Sequence, residues 1–401
     1  MLDAIAGEDL VTRACDWAAI NSGSGHLAGL TRMADVLGDT LAGFPGGVER
    51  VQLAPVQQVM PDGAVVDVPQ GASLRLTVRP DAPVQVALTG HYDTVFAEGS
   101  AFQTVTPLPD GRLNGPGIAD MKGGISVMLG ALAAVERHPA AARLGYTVLL
   151  SPDEETGSLA SAPLLRELAG RANIGLTYEP ALADGTLVSA RKGSGNYHVV
   201  VIGRAAHAGR DFAAGRNAIA AAARIASAID ALNGARDGVT FNVARIDGGG
   251  ASNVVPDRAV LRFNVRLPQV ADQAWVEHAI AACLAAGQGD GLHVALHGGI
   301  TRPPKPFTDT QHRLFASLRA VGALIGQDLA WAPSGGVCEG NNLFAHGLPN
   351  IDTLGVRGGA IHSDAEFAIP DSFAERAQLS ALWLTRFAIG GMEINGMPPN
   401  A

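Results

Sequence analysis

Several acidic and histidine side chains stand where short apolar stretches of the sequence end. They are His91 and Asp93 in GHYDTVF, Asp120 in GPGIADMKGG, Glu154 and Glu155 in SPDEETGS, Glu179 in TYEP, and His362 in GGAIHSDAE. Taken singly, each has an ordinary interpretation. Asp120 could cap a helix, the other carboxylates could be solvated loop residues, and His362 could be structural. Their shared position raises the question of what two histidines and several carboxylates do at one edge of a fold.

Carboxylates gathered at one place repel one another and have raised pKa values, a conflict that a bound cation removes. Mixed histidine nitrogen and carboxylate oxygen suits zinc, with cobalt or manganese as substitutes. Five protein ligands are too many for one open tetrahedral site, but they suit two ions about 3.5–4 Å apart that share a carboxylate. In the adjacent pair Glu154–Glu155, one residue would then bind metal and the other would manage a proton.

Alternating strand-like and helix-like stretches would position these residues. The strands are expected at 84–89, 145–151 and 173–179, and the helices at 122–138 and 162–170. This rhythm predicts an α/β fold with a mixed, mostly parallel sheet flanked by helices. The carboxyl ends of parallel strands converge on one crevice, so the acidic and histidine residues are expected to meet there.

From Gly193 the order of elements changes. Strand NYHVVVIG, helix RNAIAAAARIASAIDAL, strands GVTFNVARID and RAVLRFNVRL, helix WVEHAIAACLAAG and strand LHVALHG follow one another. This β-α-β-β-α-β order predicts a ferredoxin-like module. We therefore expect an inserted domain at 193–302, serving as lid and dimerisation surface, within a catalytic domain formed by 1–192 and 303–401.

Composition excludes several classes of function. The 401 residues are 47% hydrophobic and 17% charged, and the net charge of −9 is spread along the chain without a basic stripe, so we expect no nucleic-acid partner. Three separated cysteines and the lack of a signal-peptide pattern favour a reducing compartment, the cytoplasm. No apolar stretch has the length to span a bilayer, so no membrane partner is expected. GPGIADMKGG is not a dinucleotide fingerprint, because Asp120 and Lys122 interrupt it.

The five motifs, in their order, resemble the signatures of the M20 metallopeptidases. That family includes glutamate carboxypeptidases, acetylornithine and succinyl-diaminopimelate deacetylases, and aminoacylases, and the resemblance extends over essentially the whole chain. It implies the following roles: His91 and Glu179 on one metal, Glu155 and His362 on the second, Asp120 bridging both, Glu154 as general base and acid, and Asp93 as the partner that orients His91. It also implies a cis peptide bond between Asp120 and Met121.

The resemblance assigns further residues in and near the inserted domain. His207 in GRAAHAG would reach across a dimer and stabilise the oxyanion, while Asn253 and Arg266 would hold a substrate carboxylate. Lys192 lies at the expected hinge between the two domains and could bind an anionic group there. A turn histidine, a surface arginine and a solvated lysine are the competing interpretations of His207, Arg266 and Lys192.

The loop SGGVCEGNN departs from the family pattern, because Cys338 and Glu339 stand near the usual Thr-Asp positions. The shape of the specificity pocket therefore stays open. A nucleophilic role for Cys338 is not favoured, since no histidine–acid pair accompanies it in the motifs.

The resulting prediction is a metal-dependent amidohydrolase that acts as a homodimer on a small peptide or N-acyl amino acid with a free carboxylate. We expect a glutamate carboxypeptidase-like enzyme with two zinc ions per subunit, cleaving the amide next to a C-terminal amino acid. The alternative is an N-acyl-amino acid deacylase. A non-catalytic binding protein of the same fold is a remote third alternative. Such a protein would be expected to have lost metal ligands or Glu154, whereas this sequence keeps all the predicted ligands and Glu154.

Overall fold

The computed structural model describes residues 1–390. Within that range the chain forms nine α-helices: α1 (Gly7–Ala18), α2 (Leu27–Leu41), α3 (Lys122–Glu136), α4 (Ala162–Ala169), α5 (Ala218–Asp230), α6 (Gln273–Leu284), α7 (Asp309–Ala323), α8 (Glu339–Ala345) and α9 (Asp371–Ala388). The predicted catalytic domain runs to Ala401, so its residues 391–401 lie outside the described part.

Over the same range the chain forms 21 strands. They are β1 (Gly47–Gln52), β2 (Val56–Val59), β3 (Val65–Val68), β4 (Ala72–Val78), β5 (Val84–His91), β6 (Thr106–Pro107), β7 (Leu113–Asn114), β8 (Leu144–Ser151), β9 (Ile174–Thr177), β10 (Ala181–Leu182), β11 (Leu187–Arg191), β12 (Gly193–Ile202), β13 (Ala206–His207), β14 (Thr240–Gly248), β15 (Val254–Val255), β16 (Arg258–Leu267), β17 (His293–Arg302), β18 (Trp331–Ser334), β19 (Asn350–Ile351), β20 (Arg357–Gly359) and β21 (Phe367–Ala368).

The central sheet is mixed and has the order β1-β4-β8-β5-β9-β19. The pairs β8–β5, β5–β9 and β9–β19 are parallel, while β1–β4 and β4–β8 are antiparallel. Strands β5, β8 and β9 and helices α3 and α4 match the elements predicted from apolar patterning. The three strands are near-continuous apolar runs because helices cover both faces of the sheet. Such runs are typical of strands in parallel sheets.

Two apolar layers enclose this sheet. The larger contains α1, α3 and α9, with fully buried side chains such as Leu129, Phe373 and Trp383. The smaller packs α4 and α8 on the other face through residues that include Leu165 and Leu343. The sheet is thereby packed on both of its faces.

Residues 193–302 form a second sheet of order β14-β16-β12-β17, with every neighbouring pair antiparallel. Helices α5 and α6 cover one face and form a separate apolar cluster with Val199, Leu261 and Ile280 among its members. The βαββαβ order and this strand order are those of the predicted ferredoxin-like module. We keep 193–302 as the proposed bounds of the inserted domain.

The hairpin formed by β2 and β3 connects the two sheets at a second place. It extends from the central sheet onto the helix-free face of the inserted sheet, where Val59 packs against Val200 and Val260. Two arginines of β16 donate to its main chain, Arg262 Nη2 to Val59 O at 2.9 Å and Arg258 Nη1 to Asp62 O at 2.7 Å. Apolar patterning did not reveal this contact, because both hairpin strands are short and mostly exposed.

Among residues 1–390, no helix combines the length and the apolar character needed to cross a membrane.

Candidate active site

The carboxyl ends of three neighbouring parallel strands bring the predicted residues to one edge. His91 ends β5 and lies in register with Ser151 at the end of β8, and Glu179 follows β9 by two residues. Asp120 precedes α3, whose Gly124 packs so closely on the residue that follows β9 that a Cβ there would overlap the carbonyl oxygen of Tyr178. The Asp120–Met121 peptide bond is cis, as the resemblance to the M20 metallopeptidases implied.

The first cluster consists of His91, Asp120 and Glu179, whose ligand atoms lie within 4.8 Å of one another. His91 Nε2 is 3.0 Å from Asp120 Oδ1 and 3.8 Å from Glu179 Oε1. All three side chains are buried, and Glu179 Oε1 has no hydrogen-bond partner among the described residues. A buried carboxylate oxygen without a partner is costly, and a cation held by these three groups would satisfy it.

The second cluster shares Asp120 with the first. His362 Nε2 is 3.2 Å from Asp120 Oδ2 and 3.1 Å from Glu155 Oε2. His362 has a backbone φ of +63°, a region that non-glycine residues seldom occupy. Asp120 therefore directs one oxygen to each cluster, the geometry required of a bridging carboxylate.

Without a cation, the buried carboxylates of the two clusters repel one another. Burial, together with the neighbouring charge of Asp120, raises the pKa of Glu155 to about 7 and the pKa of Glu179 well above its ordinary value. Burial alone would also raise the pKa of Asp120, but hydrogen bonds from His362 and His91 bring it below its usual range. Nitrogen and oxygen donors so arranged fit two divalent cations that share Asp120.

Asp93 fixes the geometry around His91 and the two adjacent glutamates. Nδ1 of His91 lies 3.0 Å from the carbonyl oxygen of Asp93 and 3.4 Å from its Oδ1. The same carboxylate accepts from the backbone amides of Glu154 and Glu155 at 3.1 and 3.2 Å, and from Ser24 Oγ at 2.8 Å. These contacts place Asp93 against His91 Nδ1 and tie it to the turn that carries Glu154 and Glu155.

Glu154 is paired with Arg302, a residue that motif analysis did not single out. Arg302 Nη2 lies 2.7 Å from Glu154 Oε1 and donates to Glu154 O at 2.8 Å and Ser158 Oγ at 3.0 Å, while Nη1 donates to Asn342 Oδ1. Both Arg302 and Glu154 are buried. Arg302 is the last residue of β17, so the inserted sheet supplies the cation that neutralises the proposed base.

Glu366 is a second residue whose role the sequence did not reveal, although it ends the motif IHSDAE. Its carboxylate accepts from the backbone amides of Gly117, Ala119 and Asp120 at 2.9–3.1 Å. Glu366 is buried, and burial, together with the charge of Asp120, raises its pKa to about 7. It ties the loop that carries Asp120 to the loop that carries His362.

The loop with Cys338 and Glu339 lies over a buried charge cluster. Asp352 Oδ2 accepts from Arg191 Nε and Lys305 Nζ, each at 2.7 Å, and lies 3.5 Å from Cys338 Sγ. Burial raises the pKa of the Cys338 thiol well above its ordinary value, which agrees with a structural rather than a nucleophilic cysteine. Burial also raises the pKa of Glu339 to about 8, and its charge environment includes Glu154 and His91.

Asn341, in the same loop, donates hydrogen bonds to both segments through which the chain passes between the catalytic domain and the inserted domain. Its Nδ2 donates to Lys192 O at 3.0 Å and to Pro303 O at 2.8 Å. Those crossings are also paired with each other, since Arg191 and Lys305 exchange main-chain hydrogen bonds. The proposed hinge is therefore an ordered, hydrogen-bonded junction.

The remaining predicted residues do not all converge on the clusters within one chain. Arg266 lies near the hinge end of β16, where the charge of Arg302 and, above all, burial lower its pKa. His207 and Asn253 are exposed and adjacent, because Ala208 N donates to Asn253 O, and they lie beyond the opposite end of that sheet. The distance between the two ends of the sheet is large, because Arg258 at the far end of β16 is eight residues, or about 26 Å of extended strand, from Arg266.

Lys192 is half-buried, and its Nζ donates at 2.7 Å to the main-chain oxygen of Gly238, in the connection between α5 and β14. Its ammonium therefore contacts the inserted domain rather than the two clusters. The neighbouring Arg191 is the cation that enters the interior.

Comparison with known proteins agrees with this arrangement. Residues 189–291 match the peptidase dimerisation domain of M20 proteins. The chain is 30% identical over 310 residues to succinyl-diaminopimelate desuccinylase of Methylorubrum extorquens, covering 72% of this chain and 79% of that protein. It is 28% identical over 309 residues to carboxypeptidase G2 of a Pseudomonas species, covering 73% and 72%.

The fold also matches a solved structure. An M20 family metallo-carboxypeptidase from Sulfolobus solfataricus superposes with a TM-score of 0.72 at 16% identity, covering 95% of this chain and 99% of that one. This likeness concerns the fold alone. The 30% identity to the desuccinylase, over most of both chains, shows that the chain belongs to the M20 family and is an enzyme of the metal-dependent peptidase and deacylase type.

Proposed function

We propose that the protein hydrolyses the amide bond next to a free C-terminal amino acid, as a glutamate carboxypeptidase-like enzyme with two zinc ions per subunit. The observation that supports this most directly is the pair of three-residue clusters that share Asp120, with Glu154 beside them. His91 and Glu179 would hold one ion and Glu155 and His362 the other. Cobalt or manganese would suit the same donors.

Divalent ions, when bound there, supply Lewis-acid activation of water and of the acyl carbonyl. Glu154 would accept the proton of the attacking water and return it to the leaving amine. Arg302 keeps the Glu154 carboxylate in place through Oε1 and the main-chain oxygen. Asp93 fixes the same turn from the other side through the amides of Glu154 and Glu155.

The substrate's free carboxylate would bind Arg266, whose Nη1 is buried and has no hydrogen-bond partner among the described residues. A guanidinium is suited to this task because its fork matches a carboxylate. Asn253 would complete the clamp and His207 would donate to the oxyanion. Because both lie at the far end of the inserted sheet, this proposal requires that a second copy of the chain supplies them, in a homodimer through 193–302.

The test is a hydrolysis assay with zinc-, cobalt- and manganese-loaded protein. The substrates are dipeptides and N-acyl amino acids with C-terminal Glu, Ala or Leu, with folate-type substrates included. We expect a preference for C-terminal Glu and a loss of about 10²–10⁴ in kcat for Glu154→Gln with the metal content unchanged. The exposed Glu8→Gln is the matched control. Full turnover by metal-loaded Glu154→Gln would remove Glu154 from the mechanism.

The role of His207 across the dimer has its own test. His207→Ala and Glu154→Gln are each expected to be inactive, but subunits mixed and reassembled at equal amounts should recover about a quarter of wild-type activity, because half of the dimers then contain one complete site. No recovery in reassembled dimers would show that His207 acts within its own subunit, and full activity of His207→Ala alone would show that it has no role in catalysis.

A second candidate is an N-acyl-amino acid deacylase, which the likeness to the desuccinylase favours. The two functions differ in the acyl side of the amide. A deacylase would hydrolyse N-acetyl or N-succinyl amino acids faster than dipeptides or aroyl-glutamates. The cytoplasmic location stays a prediction that rests on the three unpaired cysteines.

A further inference from the structure

A cavity of about 440 Å³ lies between the β2–β3 hairpin and the helix-free face of the inserted sheet. Residues 56–59 of β2 form one wall, and Asn196, His198 and His297 form the opposite wall. The volume is within the range of small-molecule sites, about 300–1,000 Å³. The hairpin therefore encloses a space large enough for part of a substrate.

The cavity begins beside the two acidic clusters. Thr156, which directly follows Glu155, and Ser24, which donates to Asp93 Oδ2 at 2.8 Å, both belong to its lining. The same two residues line an adjoining cleft that reaches Glu155 itself. The cleft and the cavity therefore share an edge next to the clusters, towards which a molecule whose amide lies at the clusters could extend.

The lining is apolar or neutral. Val56, Val59, Val68 and Leu159 contribute apolar surface, and the other side chains carry amide, hydroxyl or imidazole groups, with no Asp, Glu, Lys or Arg among them. Leu159 is 44% exposed, which leaves a large apolar side chain without a partner at the edge of the cavity. Such a surface favours an apolar occupant.

His198 adds hydrogen-bonding capacity without charge. Arg262 Nη1 lies 2.8 Å from His198 Nδ1, and a guanidinium can only donate. The proton of His198 is therefore on Nε2, which makes that atom a donor. Burial and the neighbouring charge of Arg262 lower the pKa of His198, so its ring is neutral at pH 7. His297 is its cross-strand neighbour in the wall.

We propose that this cavity is the subsite for the substrate's acyl group and that it selects uncharged acyl groups with an apolar body and a hydrogen-bond acceptor. The inference rests on the proposed amide hydrolysis. Arg266 is not part of the lining but lies beside it, since its Nε donates to Asn264, which in turn donates to Asn196 of the cavity wall. The carboxylate end of the substrate would therefore be held next to the cavity, whose interior is left for the acyl end. An acyl group with its own carboxylate would meet no cation in the lining and would lose hydration without compensation.

The experiment compares N-benzoyl-, N-acetyl- and N-succinyl-glutamate as substrates of the zinc-loaded enzyme. The wild type is expected to favour the benzoyl over the succinyl compound by about tenfold or more in kcat/KM, a typical factor for one pocket contact. Leu159→Lys places a cation at the cavity edge and should lower this benzoyl-to-succinyl ratio about tenfold. Leu324→Lys, at a 61% exposed position beyond α7, is the matched control and should leave the ratio unchanged.

A benzoyl-to-succinyl ratio that Leu159→Lys leaves unchanged, or a wild type that favours the succinyl compound, overturns the subsite while amide hydrolysis stands. Absence of turnover for all three compounds is instead a failure of the proposed function. In that case calorimetric binding of N-benzoyl-glutamate decides on the cavity. Weaker binding by Leu159→Lys than by Leu324→Lys supports the subsite, and equal binding refutes it.

Discussion

Replacement of Asp352 by Asn tests the charge cluster beneath the candidate active site. Asp352 is fully buried between Arg191 and Lys305, and although burial would raise its pKa, the two cations lower it from 3.8 to about 2. At about 1.4 kcal/mol for each pKa unit, the ionised carboxylate adds about 2 kcal/mol to the free energy of unfolding at neutral pH. The variant also leaves two buried cations without their partner, so we expect a total loss of about 3–5 kcal/mol.

The assay is urea unfolding followed by circular dichroism between pH 7 and pH 3, with exposed Asp328→Asn as the control. Because the folded-state pKa is lowered, the contribution of Asp352 is present above pH 3.8 and is lost as the pH falls towards 2. The gap between wild type and Asp352→Asn should be constant from pH 7 to pH 5 and should narrow below pH 4. Equal stability at pH 7, or a gap that stays the same at pH 3, would refute the reasoning.

Three further predictions concern the metal centre and the hinge. Glu366→Gln should weaken zinc binding about 10–100-fold, measured by competition with a chelator, because the loop of Asp120 loses one of its acceptor oxygens. Asn341→Ala should speed amide hydrogen exchange at the hinge and raise KM, and unchanged exchange would contradict the role of its two hydrogen bonds. Zinc at 100 times its Kd should stabilise the wild type in thermal unfolding by about 2.7 kcal/mol for each of the two proposed sites, and His91→Ala should lose at least the share of the site that it helps to form.

Much of the fold and of the acidic edge could be predicted from the sequence. The end of β5 at His91 follows from an apolar run that stops at a polar motif, and the convergence of His91, Asp120 and Glu179 follows from the geometry of parallel strands. The ferredoxin-like module follows from the order of its elements. These features are local, or they arise from topological rules that hold for the whole fold class.

Arg302 could not be predicted in the same way. It lies 148 residues from Glu154, and its own surroundings in the sequence, TRPPKPF, indicate only the end of a strand and a hinge. Glu366 was in view within a motif, but a carboxylate that accepts from three backbone amides leaves no sequence pattern. The cavity under β2–β3 depends on which surface a short hairpin contacts, and periodicity carries no information on that.

The position of Arg302 bears on how the inserted sheet can move. It is the last residue of β17, beside the hinge, whereas His297 in the cavity wall is five residues and about 16 Å of strand away. In a rotation about the hinge, atoms near the axis move least. Opening would therefore widen the cavity and release the hairpin contacts at Val59 and Asp62, while the Arg302–Glu154 pair stayed nearly fixed. Such a rotation would make room for a bulky acyl group while Glu154, the residue proposed to move the proton, kept its place.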